Sequence, residues 1–562
     1  MKTDWDVVVV GSGAAGQLAA ARLADKGYRT VVIEKAHQYG GTSATSGGAL
    51  WIPDHDLGDL EDSEEDAMTY LRQITLEEAD EQRLKVYVEN AKRMLAYLIE
   101  TGVPCDVFPG FPDYYPDASG AVEGRAVNPR EMDGKSLGSD YFLMREPFTA
   151  FRLFNRYSLD LAQSFSLSAQ SRGWRWVATK LIMRYWLDMG WRLKTRRDRR
   201  ATMGNALIGG LRRALQKREV PVVLNTRLRK IRSDGHRAIG LEVDCNGANH
   251  YLTAKKAIIL ACGGFEQSQR FRDEFLEVST NAKWSLTPSG ANTGDALDAT
   301  VDLGAATEFM EYAWWAPSMQ LPSEFMANSD ITHQMFFDHR HPHSVVVNRQ
   351  GDRFVNECCA YDDFGKAMIR DQLETSSNIP CWMIFDATYR KKYTCGGLMP
   401  SSIMPDGRIP QHWWDNYLYR SDTVTDLAGK IGVPVGALER TVSLMNEYAR
   451  TGKDTQFHRG NNAYDQFFGD QNVRPNPCIG SIEAPPYYAI RIDLGDLGSK
   501  GGLKVDANAR VIDTAGDAID GLYAIGNCSA SPFANCYPGA GGTIGAAMTF
   551  ALVAADHVSV NR

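Results

Sequence analysis

The feature that most constrains the fold is a glycine-rich turn close to the start of the chain. Residues 6–10 read DVVVV, a continuous apolar run that is typical of a buried parallel strand. The sequence GSGAAG follows at 11–16, then a segment with helical spacing and a second apolar run over 30–35. This GxGxxG motif, in a strand–turn–helix–strand setting, predicts a Rossmann-type α/β domain that binds a dinucleotide.

Each motif residue has a physical role in that setting. Gly11 makes the tight turn, Gly13 lets the backbone approach a pyrophosphate at the helix N-terminus, and Gly16 lets the helix pack on the sheet. Glu34 lies 18 residues beyond Gly16 and can accept hydrogen bonds from a ribose. The predicted cofactor contacts of this region are Gly11, Gly13, Ala14, Ala15, Gly16, Glu34 and Lys35.

Further glycine-rich turns decide between NAD and FAD. Small and hydroxyl residues follow the second strand, a later apolar strand at 257–261 ends on Cys262-Gly263-Gly264, and a third over 521–525 ends on Gly526-Asn527. Nucleotide-facing turns spread from start to end of the chain favour FAD in a discontinuous domain, because NAD-only domains usually finish within one continuous half. The further predicted contacts are Gly41, Thr42, Ser43, Ser46, Gly47, Gly48, Gly263, Gly526, Asn527, Gly542 and Ile544.

Composition excludes several classes of protein. The 562 residues are 44% hydrophobic and 23% charged, which is typical of a globular enzyme and excludes disorder and a polytopic membrane protein. A net charge of −8 argues against a general nucleic-acid binder. The ten cysteines show no CxxC pair or zinc spacing, so we expect reduced thiols in a reducing compartment and no metal. The N-terminus lacks a basic region followed by a longer apolar one, so we expect no secretory signal and a cytoplasmic location.

Motifs through most of the chain resemble the fumarate reductase-like flavoproteins and, within them, the 3-ketosteroid Δ1-dehydrogenases. The YPGAGG sequence at 537–542 is the most specific of them, and RFVNE at 353–357 is shared more widely among these flavoproteins. The other matching motifs are GSGAAG, GGTSATSGG, FPDYY at 111–115, ALIGGL at 206–211, ANTGDA at 291–296, AWW at 313–315, FHRG at 457–460, DLGSKGG at 496–502 and DGLYAIGN.

The resemblance implies a catalytic role for four residues. In this family a Tyr hydroxyl and a Gly N–H of the YPGxG motif bind the steroid C3 carbonyl, which implies Tyr537 and Gly541. A Tyr after RFVNE removes the C2 proton, which implies Tyr361, and hydride from C1 passes to flavin N5. A third Tyr in FPDYY assists the base, which implies Tyr114, with Tyr115 as the alternative.

The chemistry is consistent with those residue types. Two donors aimed at a ketone oxygen stabilise the developing enolate, each by roughly 3–4 kcal/mol. A free Tyr has a pKa near 10, so a Tyr base needs a lowered pKa or a proton relay. Trp314 and Trp315 are interpreted as core residues. The run HRHPH at 339–343 is interpreted as a polar loop, because Pro342 interrupts a helical face and no carboxylate stands at ligand spacing.

One segment departs from the compact members of the family. The insertion 130–205 contains Ser171–Arg200, which carries a net charge of +8 and four of the twelve Trp residues. Trp with Lys and Arg on a short helix-prone stretch is typical of an interfacial anchor, so we expect 141–200 to attach to the inner face of the cell membrane, with a lid or a subunit contact as the alternative. Such an anchor would suit a steroid dissolved in lipid, including sterols with a side chain such as cholest-4-en-3-one.

These observations predict an α/β fold in which a discontinuous Rossmann-type FAD-binding domain, 1–310 and 491–562, holds an inserted α+β catalytic domain, 311–490. The predicted activity is FAD-dependent 1,2-dehydrogenation of a 3-ketosteroid, with a quinone as electron acceptor. The alternatives are 4(5α)-dehydrogenation of a 3-ketosteroid, another enone oxidoreduction of the family such as fumarate-type reduction, and a peripheral membrane flavoprotein that only carries electrons.

Overall fold

The fold is described from a computed structural model, which covers residues 3–560 apart from 169–170, 236, 323, 325–332 and 336. Its helices, in chain order, are α1 Ala14–Asp25, α2 Gly41–Thr45, α3 Glu64–Thr75, α4 Glu81–Glu100, α5 Asp140–Leu143, α6 Leu161–Ser168, α7 Trp174–Leu187, α8 Met189–Arg192, α9 Met203–Lys217, α10 Gln269–Phe275, α11 Asp295–Thr300, α12 Tyr361–Thr375, α13 Ala387–Lys392, α14 Val424–Ile431, α15 Val435–Thr451, α16 Ala463–Phe467 and α17 Gly542–Val560.

The strands are also numbered in chain order. They are β1 Asp4–Val10, β2 Thr30–Ile33, β3 Leu50–Trp51, β4 Cys105–Val107, β5 Ala126–Pro129, β6 Met132–Asp133, β7 Arg152–Leu153, β8 Tyr157–Ser158, β9 Arg200–Ala201, β10 Val222–Val223, β11 Thr226–Ser233, β12 Ala238–Cys245, β13 Ala248–Leu260, β14 Thr307–Glu308, β15 Ala313–Gln320, β16 His333–Met335, β17 Ser344–Val347, β18 Cys381–Phe385, β19 Leu418–Ser421, β20 Tyr487–Ser499, β21 Gly502–Leu503, β22 Arg510–Ile512 and β23 Ala518–Ala524.

Three distant parts of the chain build the first sheet. Its order is β10-β2-β1-β13-β12-β11, and β23 pairs with the end of β13. The strands β10, β2, β1, β13 and β23 run parallel, with Val7 beside both Thr30 and Ala257 and with Ile258 beside Leu522. The Rossmann-type fold with a discontinuous cofactor domain is therefore confirmed.

The apolar run of β1 is buried on both faces of this sheet. Val7 and Val9 pack in one core with Leu18 of α1, and Val8 and Val10 pack in a second core with Leu228 of β11. Alternation of side chains along a strand sends consecutive valines to opposite faces, so a central parallel strand needs apolar residues at every position. This burial explains why DVVVV is continuous and not alternating.

A second, antiparallel sheet carries the inserted domain. Its order is β16-β15-β20-β18-β17, and β19 also pairs with β20. Strand β20 runs from Tyr487 to Ser499, so the predicted boundary at 490 falls inside a strand that pairs with β15, β18 and β19. The antiparallel sheet extends to Ser499, and the α12 helix packs against its β15 strand.

Helix α17 closes the fold at the C-terminal end. By length and composition alone it would be able to cross a membrane. In the structure it packs against α1, α4 and β3, and Met548, Phe550 and Leu552 lie in the core. These contacts are those of a core helix.

The basic insertion is folded against the body of the protein and exposes only part of its apolar surface. Tyr141, Met144, Phe148 and Trp191 are buried. Phe142, Leu143 and Phe154 are exposed. Residues 169 and 170 of this insertion lie outside the described residues.

The HRHPH run is partly buried. Asp338–Arg340 forms a short 3-10 helix in which His339 and Arg340 are buried, whereas His341 and His343 are half-buried. The run is therefore more buried than the predicted polar loop, because His339 and Arg340 pack against the rings of Phe364 and Phe468.

Candidate active site

The GxGxxG turn forms an open cradle at the N-terminus of α1. Gly11 has a φ of 108°, and a Cβ there would overlap the backbone of Ala261. A Cβ on Gly13 would meet only the Ser43 Oγ, at 3.5 Å, so open space lies in front of this residue. The first N–H groups of a helix have no partner within the helix and favour an anion. The turn therefore has the shape and polarity that a pyrophosphate requires.

Side chains from the neighbouring turns converge on this cradle. Glu34 accepts hydrogen bonds from the Ser12 N–H at 3.1 Å and the Ser12 hydroxyl at 2.6 Å. The Ala14 N–H donates to the Ser43 hydroxyl at 3.2 Å, which joins α2 to the start of α1. The Nζ of Lys35, in contrast, lies 2.7 Å from Asp295 and is taken up by that ion pair. The side chains of Glu34 and Ser43 are thus bonded to the turn itself, whereas the side chain of Lys35 is bonded to Asp295.

A polar chain continues from the cradle towards the second sheet. Asn292 donates to the Thr42 hydroxyl at 3.0 Å and also hydrogen-bonds to Glu266. Glu266 is fully buried, and burial raises its pKa to about 7. Asn292 contacts Gly263, whose φ of 81° suits glycine. Asn292 and Glu266 lie in the sequences ANTGDA and CGGFE, but neither was predicted as a site residue.

The remaining predicted cofactor residues lie along the same line. A cavity is lined by Gly526, Asn527, Thr543, Lys500 and Trp314. Gly542 and Ile544 lie at the start of α17, beside this cavity. Ser46 hydrogen-bonds to the Gly48 N–H, and a Cβ on Gly47 would meet nothing within 4 Å. The series of open glycines, hydroxyls and helix N-termini fits an elongated dinucleotide such as FAD.

Three tyrosines meet at the end of this line. The ring centroids of Tyr114, Tyr361 and Tyr537 are separated by 5.5 Å, 5.3 Å and 5.3 Å. Tyr361 begins α12, Tyr537 precedes α17, and Tyr114 follows β4, so the cluster joins three separate parts of the chain. Tyr115 lies apart from it, because its hydroxyl donates to Asp363 at 3.0 Å. The structure therefore brings Tyr114, and not Tyr115, to the other two.

Gly541 adds a backbone donor beside this cluster. Its φ is 92°, and a Cβ would overlap the backbone of Ala49 and Leu50, so only glycine fits. Burial raises the pKa of Tyr537, and hydrogen bonding by Thr543, Tyr361 and the Gly541 N–H opposes that rise. The Gly541 N–H and the Tyr537 hydroxyl are therefore neighbours and can donate to one oxygen atom of a ligand.

Burial sets the protonation state of the tyrosines. The pKa of Tyr361 is raised well above its ordinary value, mainly by burial and further by Tyr114 and Tyr537. Burial also raises the pKa of Tyr114. A phenol in this environment stays protonated near neutral pH unless a positive charge or the ligand itself stabilises the phenolate. The cluster therefore needs an electrostatic partner if one of its members acts as a base.

A buried ion pair fixes the start of α12. Lys500 donates to Asp362 at 2.8 Å and to the Asn535 carbonyl at 2.9 Å, and burial lowers the pKa of Lys500 to about 8. Asp362 also accepts the Trp315 N–H at 3.0 Å. This pair ties α12 to β15 and to the loop before Tyr537, so it orients Tyr361 against Tyr537. Lys500 lies in the DLGSKGG motif, but this role was not predicted from the sequence.

Trp314 belongs to the site as well as to the core. It is buried, as expected, and its ring stands edge-on to Tyr537 with 4.7 Å between centroids. Its Nε1 has no hydrogen-bond partner among the described residues. A buried indole N–H usually finds a partner, so this donor is free for a ligand.

Comparison with known proteins identifies relatives over the full chain. Residues 6–544 match a family described as FAD binding domain. The chain is 36% identical to a 3-oxosteroid 1-dehydrogenase of Mycobacterium tuberculosis, and the match covers 99% of this chain and 98% of the relative.

Two solved structures are similar in fold. A 3-ketosteroid Δ1-dehydrogenase from Sterolibacterium denitrificans, in complex with 1,4-androstadiene-3,17-dione, is 42% identical, with a TM-score of 0.94 and 100% of both chains covered. A 3-ketosteroid Δ4-(5α)-dehydrogenase from Rhodococcus jostii is 19% identical, with a TM-score of 0.65 and coverage of 99% and 97%. At that identity the second likeness shows the fold alone.

Proposed function

Because this chain belongs to the FAD binding domain family and, within it, to the 3-oxosteroid 1-dehydrogenases, we propose that it is an FAD-dependent enzyme that introduces the C1–C2 double bond into 3-ketosteroids. The observation that supports this activity best is the cluster of Tyr114, Tyr361 and Tyr537 beside the Gly541 N–H. A base and two donors to one oxygen are what removal of a proton next to a ketone requires.

Each residue of the tyrosine cluster has a separate role in the proposed reaction. The Tyr537 hydroxyl and the Gly541 N–H donate to the C3 carbonyl oxygen and stabilise the enolate that develops there, each by roughly 3–4 kcal/mol. Tyr361 accepts the C2 proton, and Tyr114 hydrogen-bonds to Tyr361 and shares the charge of its phenolate. FAD, when bound, accepts the hydride that leaves C1. The buried rings around the cluster exclude water from the reacting carbons.

We assign FAD to the line of residues from the GxGxxG turn to the start of α17. Gly13, Ser43 and the N-terminus of α1 hold the pyrophosphate, and Glu34 accepts from a ribose. The substrate then lies where the two sheets meet, because Tyr361 comes from the inserted domain and Tyr537 from the loop before α17. We place the boundary between the two domains near Ser499, the end of β20.

Product analysis tests the activity. The protein is incubated with androst-4-ene-3,17-dione and, separately, with 5α-androstane-3,17-dione, together with an artificial electron acceptor. A 1-dehydrogenase converts the first into its 1,4-diene and places the new bond of the second at C1–C2. Formation of a 4-ene from the second substrate, with the first left unchanged, would instead establish the 4(5α) reaction.

We also propose that the insertion 141–200 attaches the enzyme to an anionic membrane surface. Trp176 is 66% exposed and Leu193 is 86% exposed, and Trp186, Leu187 and Met189 are exposed on the same segment. Monomeric proteins rarely leave so many large apolar side chains in water unless they bind a partner. Five outward-facing cations of this segment form no ion pair among the described residues: Arg172, Arg175, Lys180, Lys194 and Arg196.

The position of the insertion suits a lipid-soluble substrate. Helix α6 packs against α7, and its Phe165 contacts Phe108, Phe467 and Phe468. Phe468 in turn contacts Tyr464, whose ring is tilted by 57° against the ring of Tyr114 with 5.1 Å between centroids. An apolar path of aromatic rings therefore links the exposed segment to the tyrosine cluster. For the same reason we propose that sterols with a side chain are substrates. We also propose that a membrane quinone reoxidises the enzyme. Reoxidation of the reduced flavin that is faster with a quinone than with oxygen would support the second proposal.

A further inference from the structure

Arg340 lies directly behind the tyrosine cluster. Its guanidinium stands over the ring of Tyr464 at 5.3 Å and over the ring of Phe337 at 4.9 Å. Tyr464 contacts the ring of Tyr114 at 5.1 Å, and Phe337 contacts the ring of Tyr361 at 5.9 Å. One aromatic layer therefore separates Arg340 from each of the two tyrosines.

Arg340 differs from the other fully buried arginines in its partners. Each of the others has a carboxylate oxygen within ion-pair distance: Arg125–Asp113 at 2.7 Å, Arg272–Asp496 at 2.6 Å, Arg390–Asp406 at 3.3 Å and Arg459–Glu357 at 3.4 Å. In the part of the chain that the structure describes, no carboxylate lies at such a distance from Arg340. Its Nη2 donates to the Cys359 carbonyl at 2.9 Å, and Nε and Nη1 have no partner of good hydrogen-bond geometry there. The Tyr464 hydroxyl lies close enough to the guanidinium for this contact to lower the pKa of Tyr464.

A buried cation without an anion is costly, so its retention calls for a reason. Arginine keeps its charge at every accessible pH, and burial does not remove it. In the resting site no carboxylate of the described residues is within ion-pair distance of Arg340, and Asp465, whose pKa its charge lowers from further away, also interacts with Arg459. A negative charge on the other side of the Tyr464 ring would form when the tyrosine pair loses a proton. The charge of Arg340 already opposes the effect of burial on the pKa of both Tyr114 and Tyr464.

The other charges around Tyr361 are paired with one another. Asp362 on α12 is held by Lys500, and Lys366 lies 2.9 Å from the same carboxylate. Asp363 accepts from Tyr115 and lies 3.5 Å from Lys366. The other titratable groups that act on Tyr361 are Tyr114 and Tyr537. Those that act on Arg340 are Tyr464, Cys358 and Cys359, and Arg340 in turn acts on Asp465, which accepts hydrogen bonds from Asn356 and the Gly460 N–H. Arg340 is the cation of this region without a carboxylate partner among the described residues.

We propose that Arg340 is a positioning residue that stabilises the phenolate shared by Tyr361 and Tyr114, acting through the ring and hydroxyl of Tyr464. This inference rests on the proposed function and assigns the electrostatic partner that the buried base requires. In the reactive state the pair has lost one proton to solvent. The C2–H bond then breaks, its proton forms the O–H bond of Tyr361, and its electron pair enters the new double bond as the hydride of C1 leaves for the flavin that the FAD-loaded enzyme would supply as acceptor.

The test is the pH profile of steroid oxidation in the FAD-loaded enzyme. A unit charge about 10 Å away at an effective dielectric constant of about 20 shifts a pKa by roughly one unit. The pH profile of the rate of flavin reduction should therefore have its acidic limb about one pH unit higher in Arg340→Met than in the wild type. Arg340→Lys should return the acidic limb towards the wild-type pH. Phe468→Leu changes the packing against Arg340 and keeps the charge, so the acidic limb of this variant should lie at the wild-type pH.

Two further measurements decide the remaining outcomes. If Arg340→Met does not fold with FAD, Tyr464→Phe is measured in its place. An acidic limb of the pH profile that stays at the wild-type pH in the folded variant overturns the proposal. Ultraviolet titration of tyrosinate needs no steroid. The titration step of Tyr361 is identified as the one that is lost in Tyr361→Phe. This step should lie at higher pH in Arg340→Met, or in Tyr464→Phe where that variant is used, than in the wild type. If wild-type protein with FAD oxidises no 3-ketosteroid, the proposed function fails, while this titration still supports or overturns the role of Arg340.

Discussion

The ring of Tyr361 stands almost perpendicular to the ring of Tyr537, with 5.3 Å between centroids and 84° between planes. Tyr361 lies at the start of helix α12 of the inserted domain, and Tyr537 lies in a loop of the cofactor domain. Their contact means that neither domain alone contains the site. The Lys500–Asp362 pair lies beside this contact and connects the same two parts of the chain.

Replacement of the base is the first prediction. Tyr361→Phe keeps the ring and removes the hydroxyl, so turnover with androst-4-ene-3,17-dione should fall by about 100- to 10,000-fold, while FAD content and steroid binding stay unchanged. Tyr115→Phe is the matched control, because its hydroxyl contacts Asp363 and not the cluster. Equal losses in the two variants would contradict the assignment.

The carbonyl site gives the second prediction. Tyr537→Phe removes one of two donors and should lower kcat/KM by about 100-fold. Gly541→Ala should lower it further, because the φ of 92° and the adjoining Ala49 backbone leave no room for a Cβ. Steady-state kinetics on folded, FAD-containing variants measures both effects. Unchanged kcat/KM in Tyr537→Phe would remove Tyr537 from the site.

The FAD cradle gives a prediction about two glycines of one turn. Gly13→Val should fold and lose FAD, because its side chain would fill the open space in front of a residue that has an ordinary φ of −65°. Gly11→Ala should instead reduce the yield of folded protein, since a φ of 108° and the Ala261 backbone exclude a side chain. Flavin content and far-ultraviolet circular dichroism separate the two outcomes. A Gly13→Val protein that retains FAD would contradict the position assigned to the pyrophosphate.

These predictions also show what the sequence could and could not reveal. The contacts of Gly11, Gly13, Ser43 and Glu34 were predictable because a local turn and one strand pairing create them. Arg340 and Tyr464 were not, because they lie over 100 residues apart in sequence and meet only through packing of the inserted domain.

Composition was similarly limited for the insertion. It indicated an aromatic and basic surface, but the burial of Tyr141 depends on contacts that no local pattern encodes, such as its hydroxyl donating to the Asp198 carbonyl. The predicted boundary at 490 falls inside strand β20 for a related reason. Strand β20 is long enough to pair with three neighbours, and strand length is poorly encoded in local sequence.

Stability should depend on pH through Glu266. Burial raises its pKa in the folded protein to about 7, so the folded state holds a proton that the unfolded state releases between its ordinary pKa and pH 7. The stabilisation from Glu266 is complete below its ordinary pKa and is lost as pH rises through 7, by at most about 3 kcal/mol. Urea unfolding at pH 5 and pH 8 should show a smaller loss of stability at the higher pH in Glu266→Gln than in wild type. An equal loss would mean that Glu266 titrates normally.

Membrane attachment predicts the behaviour of single exposed side chains. Trp176→Ala with Leu193→Ala should reduce binding to vesicles of anionic phosphatidylglycerol, and wild-type binding should weaken in phosphatidylcholine. Leu76→Ala with Leu373→Ala is the control, because these residues are also exposed but lie outside the insertion. Point variants are preferable to deletion of 141–198, which would also remove the buried Tyr141 and Trp191. Equal vesicle binding by both double variants would exclude the insertion as the anchor.

Anaerobic mixing of the FAD-loaded protein with androst-4-ene-3,17-dione tests the central claim most directly. Both the visible absorbance of the flavin and the mass of the steroid are followed in one reaction. A 1-dehydrogenase bleaches its flavin with the loss of two hydrogens from one equivalent of steroid, and the product is the 1,4-diene. An unbleached flavin with unchanged steroid, in protein that retains FAD and binds the steroid, would contradict the assignment of Tyr361 and of the reaction.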